Sequence, residues 1–308
     1  MNLKPLAQDA AWNTLARLAG AIPQGLILIG PAGVGKRRAV RALYQLIHCT
    51  KRSGDEPCGE CVSCLKIAQN KHADFIEIAP QGETIIVDDL RDIKKSLFFA
   101  PMEGKWRFIV IDQAHKLNVS SANTLLKTLE EPPSHTRFFL ITHERALLLP
   151  TIISRCQFVH FSPLDNETLT RLVTEMGLSV PNHLLSISMD LLNGGLEKAS
   201  FLAQEATIAF LDEVLRELHS KPTRWEDVIR FADTLGSEEW KLPLFLDILI
   251  RHGHEWAVGS ENREEAWRVA NNSLKAAYLK RRLERHANKK LVALAASELS
   301  TRFHLGPE

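Results

Sequence analysis

The sequence has no long apolar run. Its longest apolar tract, residues 146–153, is interrupted by Pro150 and Thr151, whereas a membrane-spanning helix needs about 18 consecutive apolar residues. Charge of one sign is also missing: 38 Lys and Arg stand against 37 Asp and Glu, a net charge of +1. That balance excludes a protein held on DNA or on a membrane by bulk charge alone. Residues 1–10 carry Lys4, Gln8 and Asp9 where a secretory leader would have its apolar stretch, so a soluble, cytoplasmic chain is expected. No internal repeat and no low-complexity tract is visible. Cysteine is scarce outside one cluster: of five, Cys49, Cys58, Cys61 and Cys64 lie together and Cys156 stands alone. In an intracellular chain such clustering points to a metal before disulfides. What is present is ample core material, 45% hydrophobic residues in 308, a length that predicts two or three domains.

The chain reads in two styles. Up to about residue 162, short apolar runs at 26–29, 76–79, 108–111, 138–141 and 158–161 predict strands, alternating with helical spacing at 36–49, 88–98 and 120–130. This is the pattern of an α/β sheet. Leu125, Leu126 and Leu129 form the apolar stripe of the last helix, and Pro132–Pro133 ends it. Beyond residue 162 the strand signals stop. Short helices are predicted at 166–175 and 183–192, and longer ones after 206, with breaks near 221–222, 236–237 and 259–260. Trp225, Trp240, Trp256 and Trp267 fall in this all-α part, as bulky helix packing requires. Boundaries are therefore drawn near 162 and 206.

The run from Gly30 to Arg37 follows a predicted strand and opens a helix. Gly30, four residues, Gly35 and Lys36 match the first seven positions of a phosphate-binding loop. Gly30, Gly33 and Gly35 allow backbone N–H groups to turn towards phosphates, and Lys36 would reach the terminal ones. The eighth position, where Ser or Thr holds Mg²⁺, is Arg37, and a guanidinium cannot ligate a cation. A second departure agrees. Asp112 ends an apolar strand, as a Mg²⁺-supporting acid should, but the residue after it is Gln113 where hydrolysing enzymes of this type place an acid. An amide cannot accept the proton of an attacking water. The alternative is a protein that holds Mg²⁺ through another ligand and orients water with Gln113.

Cys58, Cys61 and Cys64 form two overlapping C-x2-C pairs, with Gly54, Pro57 and Gly59 favouring tight turns, and Cys49 ends the preceding helix. Four sulfurs with no open position describe a structural Zn²⁺ site. His48 and His72 lie nearby as alternative ligands, and an iron–sulfur cluster would use the same cysteines. Cys156 reads as a small buried hydrophobe.

The order of features is itself specific: phosphate loop, four-cysteine insertion, Ile111-Asp112-Gln113-Ala114-His115, then Asn123-Thr-Leu-Leu-Lys-Thr-Leu-Glu-Glu-Pro-Pro133 and Ser154-Arg155-Cys156. Together these motifs resemble the AAA+ subunits of bacterial DNA polymerase III clamp loaders, over roughly residues 10–200. The resemblance implies a RecA-like AAA+ P-loop domain (1–162) with a zinc insertion (49–64), a small helical lid (163–205) and a C-terminal helical collar for oligomerisation (206–308). In that family the tau and gamma subunits hydrolyse ATP and keep Thr and Glu where this chain has Arg37 and Gln113. The departures resemble the delta-prime branch, whose nucleotide site is degenerate while Ser-Arg-Cys is retained.

By the same resemblance Arg155 is an arginine finger, supplied in trans to ATP held by a neighbour, and Thr142 occupies the sensor-1 position. The sensor-2 arginine is replaced by Glu197, with Lys198 adjacent as a partial substitute. Implied partners are the tau/gamma ATPases, a delta subunit, a sliding clamp and primer-template DNA, with no membrane. The basic stretch 268–290, with eight Lys and Arg against Glu284, would contact a neighbouring subunit or DNA. The expected function is a non-hydrolysing stator whose own nucleotide binding is in doubt. The rival readings are an active clamp-loader ATPase with an unorthodox site and a zinc-dependent nucleic-acid-binding module with a vestigial P-loop.

Overall fold

In a computed structural model, residues 3, 5, 7–80, 84–85, 99–131, 133–219, 225–260, 262–284 and 287–301 are described. The predicted helix at 88–98 and the break near 221–222 lie outside them. The chain divides into two compact units, Met1–Leu164 and Asp165–Glu308.

In the first unit α1 (Asp9–Leu18) leads into β1 (Gly25–Ile29), the loop and α2 (Lys36–His48). There follow α3 (Val62–Ala68), β2 (Phe75–Ile78), β3 (Arg107–Ile111), α4 (Val119–Glu130), β4 (Thr136–Thr142), α5 (Pro150–Ile153) and β5 (Gln157–His160). The strands make one sheet in the order β2-β3-β4-β1-β5, and every pairing is parallel. All carboxyl ends therefore emerge at one edge, where the loops after β1, β3 and β4 meet. This is the place where parallel α/β sheets bind ligands.

The central strands β1, β3 and β4 are covered on both faces, which is why they read as near-continuous apolar runs. Ile27, Ile109, Ile111, Phe138 and Leu140 join Leu125 and Leu129 of α4 in one buried layer. Tyr44 of α2 makes edge contacts with Phe75 and Phe108 on the other face. Each such buried side chain contributes roughly 1.5–3 kcal/mol. At the start of α1, Gln8 donates to Ser162 O at 2.8 Å and accepts from Ser162 N at 3.2 Å, pinning that helix beside the end of β5.

Among its described residues the second unit is wholly helical: α6 (Asn166–Glu175), α7 (Leu185–Leu192), α8 (Ala199–Leu202), α9 (Glu205–His219), α10 (Trp225–Gly236), α11 (Lys241–Gly259), α12 (Arg263–Glu284) and α13 (Lys289–Ser300). The helix predicted from 183 begins instead with a 3₁₀ turn, Asn182–Leu184. α7 packs on α11, and α11 pairs along its length with α12. Asp247 of α11, nearly buried, receives Lys198 at 3.1 Å and also Lys280 of α12. Lys198, itself 43% exposed, thus has an acid partner within the helical unit, while Glu197 is exposed. No helix among the described residues is long and apolar enough to cross a membrane.

Candidate functional site

The phosphate loop folds as its glycines require. Gly30 has φ +155°, and a Cβ there would sit 2.3 Å from Phe161 O. Gly35 has φ +95° and caps α2. Such angles are open to glycine and costly for other residues. The loop closes on its own lysine: Lys36 is buried, and Nζ donates to the carbonyl oxygens of Gly30 and Pro31, both at 2.6 Å.

Arg37 turns away from the loop. Its Nε and Nη2 donate to Glu77 of β2 at 3.1 and 2.7 Å. Arg41, one helical turn on, grips the same carboxylate with Nε at 2.8 Å and with Nη2. Burial would push the Glu77 carboxyl up, but the bonds from Arg41 and Arg37 outweigh it and hold the group below the usual carboxylate range. The signal for Glu77 was available: it is the one charged residue in Phe75-Ile-Glu-Ile, and Arg37 and Arg41 are spaced to share a helix face.

Across the edge, Asp112 follows β3 and accepts from Gln113 N at 2.9 Å, with Gln113 at φ +50°. The buried Thr142 hydroxyl donates to Glu144 O at 3.0 Å, accepts from Glu144 N at 3.2 Å and lies 3.3 Å from His115 Nδ1. It closes the turn after β4. His115 stacks edge-on against His143, and burial, then His143, Lys116 and Lys36, push it down to about 4, so the ring is neutral at physiological pH. The topology thus gathers Gly30, Gly33, Gly35, Lys36, Asp112, Gln113 and Thr142 at one edge. It sends the Arg37 guanidinium to Glu77, and no hydroxyl stands at the position that would hold Mg²⁺.

The four cysteines do converge. The Sγ atoms of Cys49, Cys58, Cys61 and Cys64 all lie within 4.8 Å of one another, against about 3.8 Å between sulfurs around a tetrahedral Zn²⁺ at bond lengths near 2.3 Å. Backbone N–H groups already aim at the sulfurs: Cys58 N at Cys49 Sγ, 3.3 Å, and Glu60 N and Cys61 N at Cys58 Sγ, 3.4 and 3.3 Å. Burial pushes the Cys61 thiol up, but N–H donors from Cys64 and Thr50 prevail and bring it to about 6. Burial pushes Cys64 up, so a metal there would displace a proton. The donor set fits a four-sulfur structural ion. Gln45 Nε2, buried in α2, donates to Cys64 O at 2.8 Å and ties the module to that helix.

Behind the module is a polar clasp that sequence reading missed. Asp74, wholly buried, accepts from Met102 N, Glu103 N and Gly104 N at 2.8, 2.7 and 2.9 Å, with Arg107 at 3.6 Å. His48 Nε2 accepts from Lys105 N at 3.0 Å.

Arg155 lies at the opposite character of surface. It follows α5, between the buried Ile152 and the half-buried Cys156, whose Sγ would be 2.6 Å from a Cβ on Gly25. Burial pushes the Cys156 thiol up to about 11, which makes it a packing group and not a nucleophile. The Arg155 side chain is exposed. Nη2 donates to Glu130 Oε1 at 2.7 Å, and Nη1 donates to Thr151 O and Ser154 Oγ at 3.0 and 3.2 Å.

The family model described as DNA polymerase III, delta subunit, matches residues 7–165, which is half of the chain and spans the phosphate loop, the cysteines and Arg155. The chain belongs to the bacterial DNA polymerase III clamp-loader family. Among curated relatives of this family, the tau subunit of Bacillus subtilis is 35% identical over 68% of this chain and 38% of the relative. The gamma subunit of Buchnera aphidicola subsp. Schizaphis graminum is 32% identical over 77% of this chain and 67% of the relative. The chain therefore spans well under half of the tau subunit. A gamma subunit-related protein of Thermotoga maritima shares the fold, with a TM-score of 0.52 over 96% of this chain and 100% of its own at 18% identity. The clamp-loader fold is RecA-like α/β followed by helices, as expected from the sequence.

Proposed function

We propose that the chain is a non-hydrolysing, delta-prime-like subunit of a cytoplasmic clamp loader, which donates Arg155 in trans to ATP bound by a neighbouring tau or gamma subunit. The observation that carries this reading is where the cations point. Lys36 closes its own loop and Arg37 is held by Glu77, while Arg155 stands on the surface. A guanidinium offered across a boundary adds positive charge where charge builds in phosphoryl transfer, worth about 10³–10⁵ in rate. Gln113 in place of an acid removes the group that would activate water in this chain.

In the assembled loader, residues 163–205 act as the lid and 206–308 as the collar that joins the delta subunit and the ATPases. The sliding clamp and primer-template DNA are met through the complex. Cys49, Cys58, Cys61 and Cys64 hold a structural Zn²⁺, which supplies folding energy to an otherwise coreless loop.

The test is ATP turnover by a complex reconstituted with the ATPase subunits, clamp and primed DNA. Arg155→Ala is expected to lower turnover at the adjacent site by about 10³-fold, and Lys36→Ala to change it less than about twofold. If Lys36→Ala is as damaging as Arg155→Ala, the chain is itself a motor.

A further inference from the structure

We infer that Glu130 is the positioning residue for Arg155, fixing the guanidinium before a neighbour's nucleotide arrives; this rests on the arginine-finger reading above. Arg155 has rigid backbone on both sides. Ile152 is buried in the sheet's core layer, and Cys156 packs onto Gly25 at the start of β1. Its side chain would otherwise be free to sample many rotamers. Instead three acceptors from two helices hold it: Thr151 O and Ser154 Oγ at the end of α5, and Glu130 Oε1 at the last residue of α4. Leu125 and Leu129 anchor α4 in the same core layer, and α4 packs against α5. The two helix ends are therefore held at a fixed spacing.

The bonds to Thr151 and Ser154 come from residues within four positions of Arg155 and move with it. Glu130 alone refers the guanidinium to a second element, 25 residues away in sequence. Nε–H makes none of these bonds, which leaves a donor for an incoming phosphate. A group that must act within a fraction of an ångström gains from being held in place beforehand. An exposed ion pair is a weak restraint, so the contribution is modest in size and acts wholly through Arg155.

The experiment uses the complete reconstituted complex, with assembly checked by size-exclusion chromatography and each variant's folding by thermal melting. Glu130→Ala is expected to lower kcat for ATP at the adjacent site about two- to fivefold with KM unchanged, the size expected of an exposed pair. Glu130→Gln, which keeps the acceptor oxygen, should recover most of that loss. In an Arg155→Ala background Glu130→Ala should cost nothing further. A silent Glu130→Ala beside a damaging Arg155→Ala overturns this inference and leaves the finger reading intact. So does a rise in kcat, or a loss that persists without Arg155. A silent Arg155→Ala overturns both.

Discussion

At the phosphate loop, Arg37 and Arg41 close on Glu77, whose side chain is only 16% exposed. At the far end of α4, Arg155 meets Glu130, which is 50% exposed. The contact is chemically the same, a guanidinium against a carboxylate, and the surroundings separate the two. In the first place two arginines on one helix face share an acid on the neighbouring strand, and it is the acid and Arg41 that are mostly buried, Arg37 staying 48% exposed. In the second a single arginine is held at the surface by Glu130, Thr151 and Ser154, with Nε–H outside those bonds. Pairing to a mostly buried acid lends stability, and pairing to an exposed acid adds little.

That contrast can be broken most severely at the cysteine module. Exchanging Cys61 for Ser, or stripping metal with a chelator, should release about one Zn²⁺ per chain by atomic absorption and unfold the surrounding loop, with the largest loss of stability of any change considered. Next is Asp74→Ala, which takes the acceptor from three backbone N–H groups and the acid from beside the buried Arg107. A cost of about 3 kcal/mol is expected, seen as a melting temperature lower by roughly 6–12 °C, with turnover of a neighbour little changed in complexes that assemble.

Glu77→Gln should cost about 1–2 kcal/mol by denaturant titration. It should also alter the acid limb of stability. Glu77 and Asp74 are both held below their ordinary range, so the stability they lend is complete above the unfolded-state values near pH 4. It is lost as pH falls through them towards the lower folded values. Melting temperature against pH should therefore drop below about pH 4.5 in the native chain and less steeply in Glu77→Gln. Smallest of all, Arg155→Ala should shift stability by less than about 0.5 kcal/mol. If it destabilised the fold as much as Glu77→Gln, the distinction between the two sites would collapse.

Much of the sheet was legible because its central strands are buried on both faces and read as near-unbroken apolar runs. Their starts were missed by one or two residues. Arg107 and Thr136 belong to β3 and β4 through paired backbone, which an apolar-run criterion cannot see. The loop, Asp112 and the cysteines were legible for another reason: their chemistry depends on short spacings. What stayed hidden was partnership over distance. Arg37 finds Glu77 40 residues away, and Lys198 finds Asp247 49 residues away. The Lys198 contact depends on which helix passes the segment before α8, and no spacing in the sequence reports that.

The two-lysine grip on Asp247 has a mechanical consequence. Lys198 comes from the segment just before α8, Asp247 from α11 and Lys280 from α12. Any shift of Lys198 against α11 and α12 would draw a lysine off a nearly buried acid. Within the helical unit one acid on α11 is therefore a shared tie, joining the segment before α8 to α12 through two lysines.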